Sequence, residues 1–98
     1  MTSYTIVPSD VSGSHKTGTL KNITAAEITE ILGFEPNIAD DPSKVVNSWG
    51  FTATDDQPGF FRLGIWDYKG SHRINQFSTY GESDVLKALF GNRYAEGW

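Results

Sequence analysis

The chain has 98 residues, a net charge of −4 and no cysteine. This length predicts a single domain, and the lack of cysteine excludes disulfides, a cysteine nucleophile and iron–sulfur clusters. With 8 basic residues against 12 acidic ones, and no long apolar run, we expect no binding to duplex nucleic acid and no membrane span.

The first 44 residues are predicted to contain one helix. Residues 1–22 are expected to be loosely structured, with Tyr4 to Val7 β-prone enough for a short strand. Thr24 and Glu27 then have the spacing of a capping box, and apolar residues follow at helical spacing up to Leu32. Gly33 stands where a helix C-cap needs positive φ. The pattern predicts a helix over 25–32.

Three strands are predicted in the second half. They cover Val45 to Ala53, Phe60 to Lys69 and Ile74 to Tyr80, with alternating or β-prone residues in each. Gly70-Ser71 suits a two-residue hairpin turn between the second and third. The three strands are therefore expected to form an antiparallel sheet.

A second helix is predicted over 83–90. Ser83 can act as its N-cap, Val85 and Phe90 belong to its apolar face, and Gly91 can end it. The order of elements predicts an α+β fold for residues 1–98. In this fold, two helices pack on one face of a three-stranded antiparallel sheet. An N-terminal strand could extend the sheet to four strands.

A two-residue turn would also set the pairing of the hairpin. It would place Trp66 opposite Asn75 and Gly64 opposite Phe77 on one face, and leave Leu63 and Ile65 on the other. The aliphatic face is expected to lie under the helices. Trp49 shares a strand face with other apolar residues, so we expect it to be buried.

The aromatic face of the hairpin is the candidate ligand site. Aromatic rings provide stacking platforms, and a guanidinium can clamp a phosphate or carboxylate. The same rings could instead be core residues or a contact between two copies of the chain. The candidate ligand-binding residues are Trp66, Tyr68, Lys69, His72, Arg73 and Asn75.

Catalytic and metal-binding patterns are weak. His15-Lys16-Thr17 matches half of the paired His-x-Ser/Thr pattern of 2H-type phosphodiesterases, but His72-Arg73-Ile74 does not supply the second half. Asp40-Asp41 and Asp55-Asp56 lack the spacing of an EF-hand and suit solvated turns. We therefore expect no catalytic residue, no metal and no cofactor.

Four segments resemble small phage and prophage proteins of uncharacterised function. They are DDPSKVVNSWGF from Asp40, IWDYKGS from Ile65, STYG from Ser78 and LFG from Leu89. The resemblance covers roughly residues 20–91. It implies an accessory protein that acts in the cytoplasm of a bacterial host, and small phage proteins of this kind often block host defence by binding.

These observations favour a binding protein over an enzyme. The first hypothesis is a counter-defence protein that sequesters a small nucleotide-like ligand on the aromatic and basic sheet face, and that self-associates through exposed aromatic surface. The alternative is an inhibitor of a host defence protein complex that presents acidic loops such as Asp40-Asp41 and Asp55-Asp56 to a basic partner. A phosphodiester-cleaving enzyme is a distant third hypothesis.

Overall fold

The computed structural model describes residues 4–9, 16–38, 47–55, 59–67 and 74–96. These residues contain two helices and one antiparallel sheet of six strands, so the α+β class is confirmed and the sheet is larger than predicted. The strands are β1 (Thr5–Pro8), β2 (Gly18–Lys21), β3 (Ser48–Thr54), β4 (Phe61–Trp66), β5 (Gln76–Tyr80) and β6 (Tyr94–Glu96). The helices are α1 (Ala25–Leu32) and α2 (Ser83–Phe90), and a 3₁₀ turn (Gly91–Arg93) leads into β6.

The strands lie in the order β1-β3-β4-β5-β2-β6. Strand β2 is therefore internal and pairs with β5 on one side and β6 on the other. The prediction of a loosely structured segment over 1–22 is wrong for Gly18–Lys21, which forms a fully paired strand. Its four residues carry little β signal, and both of its partners lie far away along the sequence.

Both helices pack on the same face of the sheet, which we call the covered face. Leu63 and Ile65 lie on this face and are fully buried, as predicted, and Trp49 is also fully buried. The hydrophobic core contains residues of five strands, Leu20, Trp49, Phe51, Ala53, Leu63, Ile65, Phe77 and Tyr94, of the two helices, Ile28, Leu32, Val85, Leu86 and Phe90, and Ile23 between β2 and α1.

The predicted caps are confirmed for α1 and wrong in part for α2. The Thr24 hydroxyl accepts from the Glu27 N–H, and the Glu27 carboxylate accepts from the Thr24 N–H, each at 3.2 Å. Glu27 also pairs with Arg93 at 2.8 Å, which ties α1 to the turn after α2. The N-cap of α2 is Glu82 rather than Ser83, and it makes no side-chain capping bond.

The predicted register between β4 and β5 is wrong. Gly64 pairs with Tyr80 and Trp66 with Ser78, so the partners lie three residues further along β5 than expected. An odd shift turns every side chain of a strand to the opposite face. Phe77 consequently lies on the covered face, where its ring meets that of Trp49 edge to face at 5.8 Å. Burial of this ring explains the observed register.

Candidate functional site

The second face of the sheet, which we call the open face, carries neither helix. The strand register places Arg62, Gly64 and Trp66 of β4 on it, beside Ser78 and Tyr80 of β5. The other strands complete the open face with Thr5, Val7, Thr19, Lys21, Ser48, Gly50, Thr52, Thr54, Gln76 and Ala95.

The open face differs in charge from the chain as a whole. Across the six strands, the residues that the register places on this face include two cations, Arg62 and Lys21, and no carboxylate. The chain itself has a net charge of −4. A surface patch without acidic residues on an acidic protein attracts anions locally.

Trp66 and Tyr80 provide aromatic rings at the centre of the open face. Gly64 lies between them, since it neighbours Trp66 on β4 and pairs directly with Tyr80. A Cβ built at Gly64 would lie 3.8 Å from Cζ3 of Trp66. The indole therefore lies beside Gly64, at the distance of an ordinary van der Waals contact with an added Cβ, and both aromatic residues are half-buried.

A cleft of about 450 Å³ opens where β5 leaves the sheet. The last β4–β5 pair is Gly64–Tyr80, and the chain then turns at Gly81 towards α2. Four aromatic residues are among those that line the cleft, Phe60, Phe61, Tyr80 and Tyr94. Its charged lining residues are Arg62, Glu82 and Glu96.

Thr17 and Gly81 fix the base of this cleft. Gly81 has φ of 124°, and a Cβ there would lie 2.8 Å from both the Arg62 carbonyl oxygen and Leu63 Cγ. Only glycine therefore allows β4 to pass so close to the turn. The Thr17 hydroxyl accepts from the Gly81 N–H at 3.2 Å, and the Thr17 N–H donates to the Thr79 carbonyl at 2.7 Å.

Tyr94 forms a buried wall of the cleft. Burial raises the pKa of its phenol, and the carboxylates of Glu96 and Glu82 raise it further, while the Thr79 hydroxyl acts in the opposite direction. The Tyr94 hydroxyl packs against Gly18, where an added Cβ would lie 2.7 Å from it, and the Thr79 hydroxyl lies beside it. Both hydroxyls are fully buried, and neither makes a hydrogen bond of good geometry with a described residue.

Arg62 links the cleft to the open face. Its side chain is exposed, and its guanidinium carbon lies 5.9 Å from the centre of the Phe60 ring. Phe60 is itself 57% exposed. A guanidinium held over an aromatic ring is partly ordered, which lowers the entropy lost when it binds an anion.

Two of the six predicted site residues fall within the described parts of the chain. Trp66 lies on the open face, but Asn75 is an exposed residue with φ of 56° just before β5, so the two are not paired as expected. Tyr68, Lys69, His72 and Arg73 lie outside the described residues.

The sequence analysis did not include Arg62 and Tyr80 among the candidate site residues. Arg62 could have been found, because the two-residue period that places Trp66 on a face places Gly64 and Arg62 on it too. Tyr80 depends on the register, which the local sequence does not determine.

Other clusters have structural explanations. The carboxylate of Asp67 is fully buried and accepts two hydrogen bonds of 2.9 Å from Asn47, one from the backbone and one from the side-chain amide. No group of three potential metal ligands occurs among the residues that the structure describes, and His15 and His72 both lie outside them.

Neither helix of the described chain is long and apolar enough to cross a membrane. Comparison with known proteins gives no further assignment: no family model, no curated protein and no solved structure matches this chain.

Proposed function

We propose that this protein binds a small nucleotide-like ligand without catalysing a reaction, and that the ligand lies on the open face at Trp66, Tyr80 and Arg62. The resemblance to small phage proteins supports a counter-defence role in the cytoplasm of a bacterial host, in which the protein sequesters this ligand. Of the residues predicted from the sequence, Trp66 remains central to the proposal, and Arg62 and Tyr80 join it.

The charge of the open face carries the proposal. A nucleotide is anionic, and the sheet residues on this face include Arg62 and Lys21 without a carboxylate. Most other charged positions of the described chain are acidic, which makes this face the favoured place for an anion.

The aromatic rings of Trp66 and Tyr80 make the second contribution to ligand recognition. Trp66 lies beside Gly64, and Tyr80 lies across the strand pair from that glycine. A planar base can stack on such a ring whatever its hydrogen-bonding pattern, and each stacked base contributes about 1–3 kcal/mol. Arg62 would then meet the phosphate of a ligand that stacks on Tyr80.

The test is a calorimetric titration with mononucleotides, cyclic nucleotides and dinucleotides. We expect binding by the natural chain, and a loss of about tenfold or more in affinity in Arg62→Ala, because a charge-assisted hydrogen bond contributes about 1.5–3 kcal/mol. Lys87→Ala is the matched control, since it removes one exposed positive charge from α2.

Two results would contradict the proposal. One is the absence of binding by every nucleotide in the panel at millimolar concentration. The other is equal loss of affinity in Arg62→Ala and Lys87→Ala, which would indicate net charge and not this face. Mass spectrometry of the purified protein gives an independent check, because a sequestered nucleotide should co-purify.

The alternative function is inhibition of a host protein complex. Of the acidic loops predicted to carry it, Asp40, Asp41 and Asp56 lie outside the described residues. The position of the other acidic residues favours it. Glu30, Glu35, Glu82, Asp84 and Glu96 are all exposed, and the register places none of them on the open face. A basic partner would bind these surfaces. Reversing the charges of Glu30 and Glu35 would then abolish inhibition but leave nucleotide binding unchanged.

We also propose that the protein self-associates, with the open face as the contact between two copies of the chain. Val7 on this face is 51% exposed and Phe60 beside Arg62 is 57% exposed. Light scattering should report a dimer or larger species, and nucleotide should shift it towards monomer because both occupy the same face. A monomer at all concentrations would end this part of the proposal.

A further inference from the structure

On the basis of the proposed function, we infer that the ligand of the open face is a short single-stranded oligonucleotide. Two successive, unstacked bases of this strand lie on Tyr80 and Trp66, and its phosphates meet Arg62 at one end of the site and Lys21 at the other. The ligand is then longer than a mononucleotide, and Lys21 belongs to its binding site.

The four side chains of this site follow one another at even steps along the strand direction. Arg62 comes first, and Tyr80 lies opposite Gly64, two residues further along β4. Trp66 lies two residues beyond Gly64, and Lys21 lies one further step along, on β2. Each step of two residues covers about 6–7 Å. The order on the open face is therefore cation, ring, ring and cation.

The spacing of the two rings fits unstacked bases. Tyr80 and Trp66 lie on neighbouring strands, one step of about 6–7 Å apart along the strand direction. Successive bases within a duplex strand are only about 3.4 Å apart. Two neighbouring bases that each stack on one of these rings must therefore be separated from each other, which a single strand allows and a duplex does not.

The two cations are too far apart to hold one nucleotide. Arg62 and Lys21 are separated by three steps, or about 20 Å along the strand direction, and both are exposed. Within the described part of the chain neither forms an ion pair, and the strand register places no carboxylate between them on the open face. A mononucleotide at Tyr80 and Arg62 would not reach Lys21, whereas a longer strand carries phosphates to both cations.

The polar side chains of β5 fit a ligand of mixed sequence. Ser78 pairs with Trp66 across the strands, and Gln76 pairs with Lys21, so both lie along the proposed path of the ligand. A hydroxyl and an amide can each donate and accept hydrogen bonds, and stacking on a ring suits every base. We therefore expect tight sequence selection to be absent, which allows homopolymers as probes.

The test is a calorimetric titration at low salt with oligothymidylates of one, two, four and eight nucleotides. We expect the affinity to rise about tenfold or more between one and four nucleotides, because the second ring and the second cation then make contact. The affinity should change little between four and eight nucleotides. An oligouridylate series of the same lengths distinguishes RNA from DNA as the source of the strand.

Lys21→Ala distinguishes a bound strand from a bound mononucleotide. This variant should bind the tetranucleotide about fivefold or more weakly than the natural chain, with unchanged affinity for the mononucleotide. The slope of log affinity against log salt should also fall by about 0.7, the value for one phosphate contact of a single strand. Lys87→Ala is the matched control, since it removes an exposed cation from α2 and should change neither quantity.

The rings are tested by Trp66→Leu and Tyr80→Leu, with circular dichroism to verify the fold. Each variant should lower the affinity for the tetranucleotide about fivefold or more, because it removes one stacking platform. Unchanged affinity in both variants would contradict the assignment of the two bases.

Three further results would overturn the inference. The first is equal affinity for the mononucleotide and the tetranucleotide, and the second is an equal effect of Lys21→Ala and Lys87→Ala on tetranucleotide binding. The third is a stable duplex that binds as tightly as the single strand, because paired bases cannot lie on the rings. The first and second results leave the proposed function standing. If no probe binds, the mononucleotide included, both proposals fail.

Discussion

The side-chain amide of Asn37 pairs with both backbone groups of Gly50. Its Oδ1 accepts from the Gly50 N–H at 2.8 Å, and its Nδ2 donates to the Gly50 carbonyl at 2.9 Å. The backbone N–H groups of Asn37 and Ile38 also donate to the Ser48 carbonyl. Asn37 therefore satisfies backbone hydrogen-bonding groups at the edge of β3, beyond the residues of β3 that pair with β1.

We expect Asn37→Ala to lower the free energy of unfolding by about 1–3 kcal/mol, because it leaves the Gly50 N–H without its partner. Asn37→Asp should cost more than this. The aspartate retains an acceptor for that N–H. It also places a carboxylate oxygen against the Gly50 and Ser9 carbonyls, which in the natural chain accept hydrogen bonds from Nδ2 of Asn37. Chemical denaturation of the two variants checks the order, and an aspartate variant as stable as the natural chain would contradict it.

Gly81→Ala should be strongly destabilising, with Gly33→Ala as the control. Both positions have positive φ, 124° and 88°, which costs an L-residue about 1–2 kcal/mol. A Cβ at Gly33 meets no atom within 4 Å, whereas one at Gly81 lies 2.8 Å from Leu63 Cγ and the Arg62 carbonyl. We therefore expect Gly81→Ala to lower the free energy of unfolding by about 1–3 kcal/mol more than Gly33→Ala does, which is the usual cost of overpacking a core. Equal melting temperatures of the two variants would show that the turn can relax.

Trp49→Ala should lower stability by about 3–5 kcal/mol, as large truncations in a core do. Trp49 is fully buried on the covered face, and its ring contacts that of Phe77. Thermal unfolding measures the effect, and an unchanged melting temperature would contradict the observed packing. Trp66→Ala is the matched control, because that indole is half-buried on the open face and its loss should affect stability less.

Tyr94→Phe should leave stability unchanged or raise it by about 1 kcal/mol, because it removes a buried hydroxyl without a partner. The natural chain should also lose stability above pH 10, the usual pKa of a tyrosine. The pKa of Tyr94 is raised in the folded state, so the unfolded chain releases this proton first as the pH rises. The phenylalanine variant should lose less stability over that range. A loss larger than 1 kcal/mol at neutral pH would mean that the hydroxyl is bonded.

The helices could be predicted from the sequence because their signals are local. The capping box of Thr24 and Glu27 and the glycines at 33 and 91 mark their ends within a few residues, and both predicted ranges are confirmed. The Ser83 cap was wrong because Glu82 already occupies the half-helical position in front of it.

The rest of the sheet could not be predicted from local pattern. Strands β2 and β6 have four and three residues, and their β character comes from pairing with each other and with β5. The β4–β5 register depends on the burial of Phe77 against Leu20 and Trp49, residues that lie far away in the sequence. Tyr80 could be assigned to the candidate site only after this register was known.

The position of β2 between β5 and β6 affects how the chain can fold during synthesis. Gly18–Lys21 leaves the ribosome well before its partners Gln76–Thr79 and Tyr94–Glu96, which lie far downstream of it in the chain. Pairing over such long sequence separations slows folding, since loop closure precedes any gain from the contacts. Until β6 is in place, the outer edge of β2 keeps unpaired N–H and C=O groups that another chain can pair with. A chain that stalls before Tyr94 would therefore be prone to aggregate.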